Sequence, residues 1–399
     1  MRPVAILGAG MTKFGRSDST LADLMSEASV AALRDATMGN RSVDAVVVAN
    51  MGAARINRQT AIASALVDRL NLFPAAAETV ENGPASGASA VKVGVQAIAA
   101  GMADIVLVTG VEKMRAVNNL EATDFVASLS HPEAEYVYGV TLPSLAGMFA
   151  RLYMSRYGLT RRHLAMVSIK NHANAMRNPY AHIHQEITME GILDAPEARV
   201  NNPPIAEPLH LYDCCPVSDG AASLVLASLD VVQHLDRPDS VVMIAGIGQA
   251  TDTHAVHERS EPTELSAVRL AADQAFDRAG VGPGEIDVAE LHDAFTVLEI
   301  AESEAAGFFP RGEGHVALEQ GVTSLGGALP INPSGGLKGR GHPVGATGVA
   351  QLVELTWQLR GDAGARQVAG AGNGFACNFG GFGNNVVATV LRSERRDHG

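Results

Sequence analysis

The stretch LADLMSEASVAALRDATM at residues 21–38, followed by VDAVVVAN at 43–50, has a second copy. That copy is LSAVRLAADQAFDRAGV at 265–281, followed by IDVAELHD at 286–293. Each reads as an amphipathic helix, because apolar residues recur at helical spacing, then a turn, then an apolar strand. Asp44 aligns with Asp287 and Ala36 with Ala279, each pair 243 residues apart. A constant offset of this kind implies two similar α/β halves.

The remainder of each copy agrees. ENGPASGASA (81–90) opens an Ala-rich helix that precedes the strand ADIVLVTG (103–110). GRGHPVGATG (339–348) opens the helix GVAQLVELTWQLRG (348–361), and a closing strand follows at NNVVATVL (384–391). A Gly/Pro loop at a helix start aims backbone N–H groups at an anion or oxyanion, although it also serves as a plain strand-to-helix turn. The first apolar run, Val4 to Leu7, is a strand, too short for a signal core or a membrane span. The charged ending SERRDHG (393–399) carries no targeting or lipidation signal.

A chain of 399 residues suits two core domains, and 47% hydrophobic with 18% charged residues describes a soluble globular protein. The net charge of −13 leaves no general basic face for nucleic acid or a membrane surface. An anionic cofactor still fits, because a few local Arg and Lys suffice for phosphate. Of three cysteines, Cys214 and Cys215 are adjacent, so no disulfide framework is implied and a cytoplasmic location is expected. No metal site is expected, since His182 and His184 lack further ligands at suitable spacing.

Residues 115–210 differ from both halves: they are rich in Met, His, Tyr and Arg, with helical runs near 144–157 and 160–176 and the exit NNPPIAEP (201–208). This region reads as a cap over the site. Arg161, Arg162 and Lys170 lead its candidates for cofactor phosphates, with solvated helix faces as the plain alternative. Met148, Phe149, Tyr153 and Met154 would tolerate a bulky or cyclic group, or face the core.

Three motifs carry chemistry. INPSGGLKGRGHPVGATG (331–348) pins His342 between Gly341 and Pro343 at a helix start, a poor place for core filling. VAELHDAF (288–295) puts His292 and Asp293 at the C-terminal end of a strand, where α/β sheets carry their ligand chemistry. GNGFACNFGGFGNN (372–385) places Cys377 in a Gly-rich turn before the last strand, more accessible there than a packed thiol; a small buried hydrophobe is the alternative.

Together with GAGMTKFGR (8–16), ADIVLVTGVEKM (103–114) and YDCCPVSDGAASLVLAS (212–228), these motifs resemble the thiolase superfamily over essentially the whole chain. The resemblance is strongest to the sterol-carrier-protein type and to thiolase-like acetyl-CoA acetyltransferases, a branch with HDxF where ordinary thiolases carry NEAF. It implies a five-layered αβαβα fold built from two βαβαβαββ-type halves. One half would be residues 1–114 with 211–232, the other 240–395, and 115–210 the loop or cap region. It also implies a coenzyme A thioester as substrate, no permanently bound cofactor, and a homodimer formed through the sheet edge of the first half. By the same resemblance His342 activates the nucleophile and helps bind the thioester oxygen, and His292 supplies a second donor. Cys377 would be the acid/base at the α-carbon, and the loops around Gly341 and Gly380 would shape the oxyanion hole. Ordinary thiolases show C-x-G where this chain reads Cys377-Asn378-Phe379-Gly380, so the loop carries over and a specific glycine donor does not.

One departure dominates. Relatives of this branch read VENxCASG where this chain has Val80-Glu81-Asn82-Gly83-Pro84-Ala85-Ser86-Gly87, so Pro84 stands at the nucleophile's position. Proline offers neither a side-chain nucleophile nor a backbone N–H, and losing one oxyanion donor typically costs about 3–4 kcal/mol of transition-state stabilisation. Ser86, two residues into the helix, is a poor substitute. Three readings follow: C–C bond chemistry on an acyl-CoA enolate without an acyl-enzyme, an atypical acyltransferase, or a non-catalytic subunit. The last would pair with a second thiolase-like chain or a small zinc-ribbon/OB-fold protein.

Overall fold

The computed structural model describes residues 2–235 and 240–395, so the last four residues of the SERRDHG ending lie outside the described residues. Eleven strands are described: β1 (Val4–Met11), β2 (Ala45–Ala49), β3 (Ala76–Val80), β4 (Ile105–Lys113), β5 (Pro204–Ala206), β6 (Leu209–His210), β7 (Asp219–Ser228), β8 (Ser240–Thr251), β9 (Val288–Glu290), β10 (Asn373–Gly380) and β11 (Asn385–Arg395). The helices that organise the core are α1 (Leu21–Ala36), α2 (Ile62–Leu70), α3 (Ser86–Ala99), α4 (Asn119–Ala127), α5 (Leu142–Tyr157), α6 (Arg161–Ala175), α7 (Ser266–Ala279), α8 (Thr296–Ala305), α9 (Gly336–Arg340) and α10 (Val344–Arg360).

The sheet order is β3-β2-β4-β7-β1-β8-β11-β10-β9, and it reads alike from its two ends. From one end β2 runs parallel to β4, and β4 antiparallel to β7, which is antiparallel to β1. From the other, β9 runs parallel to β10, and β10 antiparallel to β11, which is antiparallel to β8. The halves join where β1 meets β8, at Ala5↔Met243 and Ile6↔Val242.

The repeat persists in the packing of helix on strand. A side chain on Gly8 would strike Ala32 and Ala36 of α1, and one on Gly246 would strike Ala275 and Ala279 of α7. Each half therefore presses its outer helix onto its first strand through a glycine and two alanines.

Five layers result. The helix α10 packs against α3 and touches both β4 and β10, so the two central helices lie between the two parts of the sheet. Outside, α1 and α2 share a core with β1, β2 and β4, while α7 packs on β8 and β11. The close approach of α3 to α10 needs bare backbone: a side chain at Gly87 would meet the backbone of Gly348 and Val349 within 2.8 Å. That contact brings the starts of the two central helices, with Pro84 on one and His342 on the other, to one end of the molecule.

No helix among the described residues is long and apolar enough to cross a membrane.

Candidate active site

The cleft at this end holds about 860 Å³ with its mouth included. Pro84, His292 and His342 line it, as do Cys214, Cys215 and Gly381. Its remaining wall is apolar: Met114 after β4, Ala122 and Val126 of α4, Leu142 at the start of α5, Phe295 and Leu298 around α8, and Phe379 and Phe382 around the β10–β11 turn.

His342 follows Gly341, which takes φ 108° and whose Cα faces Ser218. The backbone N–H of His342 donates to Ser218 Oγ at 3.2 Å. Its Nδ1 lies 2.7 Å from Thr347 Oγ1, and that hydroxyl donates its single proton to Pro343 O at 3.0 Å. Thr347 therefore accepts from His342, so Nδ1 carries the hydrogen and Nε2 presents a lone pair. Burial, then the nearby Arg340 guanidinium, holds the imidazole down at about 3, and the ring stays neutral.

His292 has the opposite polarity. Asn378 fixes it: its Oδ1 accepts from Ala88 N at 3.1 Å and its Nδ2 donates to Pro84 O at 3.0 Å. The second Nδ2 hydrogen points to His292 Nδ1, 3.3 Å away, which must accept. His292 thus carries its proton on Nε2. Burial, then His342 and Arg340, pushes this ring well below its usual range, and it too is neutral. The two rings meet edge to face with centroids 4.9 Å apart, and among the described residues no protein group bonds either Nε2. One neutral acceptor and one neutral donor face the same cleft.

The support beneath them is polar and buried. Asp293 accepts from the backbone of Leu337 at 2.6 Å and from Asn171 Nδ2 at 2.7 Å, holding the start of α9, which leads into Gly341. Arg340 pairs with Glu290 at 3.0 Å. Glu112, raised to about 7 by burial, accepts from Met51, Gly52 and Gly345, tying β4 to the start of α10.

Several expectations are corrected. Cys377 does not sit in an accessible turn: it lies within β10, opposite Ala388 of β11, wholly buried and off the cleft. Burial, then the adjacent Glu302 carboxylate, pushes its thiol well above the ordinary range. Glycine-rich sequence concealed a strand, because a residue paired in mid-sheet needs no side chain for its ladder. Gly380 also lies off the cleft, pressed against Ala85 and Asn82, whereas Gly381 lines it. Lys170 is not a phosphate ligand: it is buried in α6, paired with Glu299 at 3.0 Å and donating to Ile331 O at 2.6 Å. Arg161 and Arg162 lie 3.9 Å and 3.2 Å from Asp213 and Asp194 and do not line the cleft. Phe149 and Tyr153 pack into the core, leaving the cleft's apolar lining to other residues. Ser86 has its hydroxyl spent within the turn, donating to Gly83 O at 2.6 Å and accepting from Asn82 N at 2.7 Å. His182 and His184 bond Ser218 Oγ and Asn178 O respectively.

Two positions escaped the sequence reading. Asn378 reaches across 294 residues to Pro84, and only its place after Cys377 hinted at a role. Cys215, whose adjacency to Cys214 gave no sign of a role, lines the cleft.

Comparison with known proteins shows the family of the chain. The family described as "Thiolase, N-terminal domain" matches residues 4–230, and "Thiolase C-terminal domain-like" matches 248–393. An acetyl-CoA acetyltransferase of Methanothermobacter thermautotrophicus is 42% identical over 98% of this chain and 100% of its own. Sterol carrier protein 2 of Rattus norvegicus is 32% identical over 98% of this chain and 72% of its own. Among solved structures, the Ltp2-ChsH2(DUF35) aldolase superposes with TM-score 0.82 at 27% identity, over 99% of this chain and 98% of its own. Human mitochondrial 3-ketoacyl-CoA thiolase, at TM-score 0.71 and 20% identity, shares the fold.

Proposed function

This chain belongs to the thiolase family of acyl-CoA enzymes, and from that premise we propose that it makes or breaks a C–C bond beside a CoA thioester through an enolate, without acylating itself. The observation that carries the reading is the pair of oppositely poised histidines facing a cleft that Pro84 lines, at the position where the family resemblance would put a nucleophile. His292 Nε2–H donates to the thioester oxygen, where the enolate charge develops. His342 Nε2 takes a proton from the substrate, and the enolate beside it stabilises the imidazolium as it forms. The Gly381 amide, on the cleft and unpaired among the described residues, is a second donor in place of the one that Pro84 lacks. The apolar wall suits a sizeable hydrocarbon acyl group.

The likeness to the Ltp2-ChsH2(DUF35) aldolase supports both the retro-aldol direction and a small partner subunit for this chain. A homodimer through the exposed β3 edge belongs to the same proposal.

The acetyltransferase relatives favour a second reading, acyl transfer with a borrowed nucleophile, and the cleft-lining thiols of Cys214 and Cys215 are the observation behind it. Incubating the purified protein with a β-hydroxyacyl-CoA distinguishes the two. The enolate reading expects a carbonyl product and a shortened acyl-CoA, each in the absence of free CoA. A β-ketoacyl-CoA offered beside it reports the other route: its cleavage into two acyl-CoAs, dependent on free CoA, with no cleavage of the β-hydroxyacyl-CoA would favour transfer and count against the enolate reading.

A further inference from the structure

With Cys377 inside the sheet, the enolate needs another proton carrier on the cleft. The segment 214–218 runs between the two histidine loops: Cys215 N donates to Ala294 O at 2.9 Å, Val217 pairs with His342, and Ser218 receives the His342 amide. Cys214 and Cys215 both line the cleft, but they differ in engagement. Cys214 Sγ lies 3.6 Å from His210 O and donates there, whereas Cys215 Sγ is engaged by its own backbone amide and donates to no protein acceptor among the described residues.

A second feature points to the same thiol. Lys338 is 3% exposed, yet no hydrogen bond or ion pair reaches its ammonium among the described residues; the ammonium stands over the Tyr212 ring, 5.5 Å from its centroid. Of the ionisable groups that act on it, Cys215 is the strongest, ahead of Cys214, Asp213 and Asp293. A buried ammonium with no carboxylate in ion-pair contact is costly, and a thiolate at Cys215 would add a negative charge to those of Asp213 and Asp293.

Resting on the enolate reading, we propose that Cys215 is the residue that delivers a proton to the α-carbon, with Lys338 stabilising the thiolate left behind. In the cleavage direction His342 Nε2 takes the β-hydroxyl proton, the Cα–Cβ bond breaks, and its electron pair remains on Cα as the enolate. The Cys215 S–H then protonates Cα. The resulting thiolate rests beside Lys338 until the His342 imidazolium returns its proton through solvent, which restores both groups without any co-reactant. Burial pushes the resting thiol up to about 12, so it stands protonated and ready as an acid.

The test is deuterium exchange at the α-carbon of a saturated acyl-CoA in heavy water, followed by mass spectrometry, for the wild type and the variants C215A, C377A and K338M. The proposal expects wild-type exchange, a fall of about 10²–10⁴-fold in C215A, and rates within about threefold of wild type in C377A. In K338M, alkylation of Cys215 by iodoacetamide should shift to higher pH, a readout independent of turnover, and saturating acyl-CoA should protect Cys215 in the wild type. Exchange in C215A equal to wild type would overturn the assignment while leaving the enolate reading intact. Absence of exchange in the wild type would overturn both. An acyl group found on Cys215 would make it a nucleophile and equally overturn the proposal.

Discussion

Asn378 donates to the carbonyl of Pro84 at 3.0 Å and turns its remaining amide hydrogen toward His292 Nδ1, so one side chain ties the turn at Pro84 to the tautomer of His292. Pro84 and the tautomer of His292 thereby belong to one arrangement. Pro84, which has no N–H of its own, still supplies the carbonyl that orients the amide.

Asn378→Asp reverses that arrangement. A carboxylate at this position accepts from His292 Nδ1–H, moves the proton off Nε2 and turns the donor into an acceptor. α-Proton exchange should fall by about 10²–10³-fold, the range for a lost oxyanion donor. Imidazole nitrogen chemical shifts should report the changed tautomer. Exchange at the wild-type rate with an Nδ1-protonated ring would contradict the role given to His292.

The two histidines should fail differently. His342→Ala removes the acceptor, and C–C cleavage should drop by about 10²–10⁴-fold. His292→Ala should slow cleavage and exchange together by about 10²–10³-fold, because both pass through the same enolate. Steady-state kinetics set beside exchange rates check the pair, and equal losses of both activities in His342→Ala would argue against its task at the β-hydroxyl.

Glu302, wholly buried, accepts the His292 amide at 2.9 Å, and burial raises its carboxyl from the usual range to about 8. The native protein therefore holds a proton that the unfolded chain releases above the ordinary carboxylate range. The stability this contributes is fully present below pH about 4.5 and is lost as pH rises through about 8. Between those values the loss is about 1.4 kcal/mol per pH unit. Glu302→Gln should flatten that part of the curve of denaturant-derived stability against pH. An unchanged slope would show that the carboxyl titrates elsewhere.

Lys170→Met breaks a buried pair with Glu299 and should cost about 3–5 kcal/mol of stability, read as a lower denaturation midpoint. Arg162→Ala, which loses only an exposed pair with Asp194, should change stability by less than about 1 kcal/mol. Neither should alter the KM for an acyl-CoA. A tenfold rise in KM in either would return that residue to the phosphate-binding role first expected of it.

Much of the fold is legible along the chain because the duplication is local and periodic. The helices α1 and α7 end at Ala36 and Ala279, and β2 and β9 begin at Ala45 and Val288, each pair keeping the offset of 243 residues. His342 and His292 were legible as well, since Gly and Pro neighbours or a strand end mark them locally. Cys377 was not, because its partner Ala388 and the carboxylate of Glu302 are set by sheet register and helix packing. Lys170 misled for a related reason: a basic residue on a polar helix gives no sign of the glutamate waiting 129 residues away. Polarity of the site was beyond sequence altogether, resting on where one hydroxyl proton of Thr347 and one amide hydrogen of Asn378 point.

The claim that no acyl group passes through the protein is tested most directly by its intact mass, measured during turnover with excess acyl-CoA. The wild type should keep its unmodified mass throughout, while P84C, which places a thiol on the cleft that His342 also lines, should gain the mass of one acyl group on that residue. A wild-type chain that carries an acyl group at any residue, formed and discharged at the rate of turnover, would contradict it.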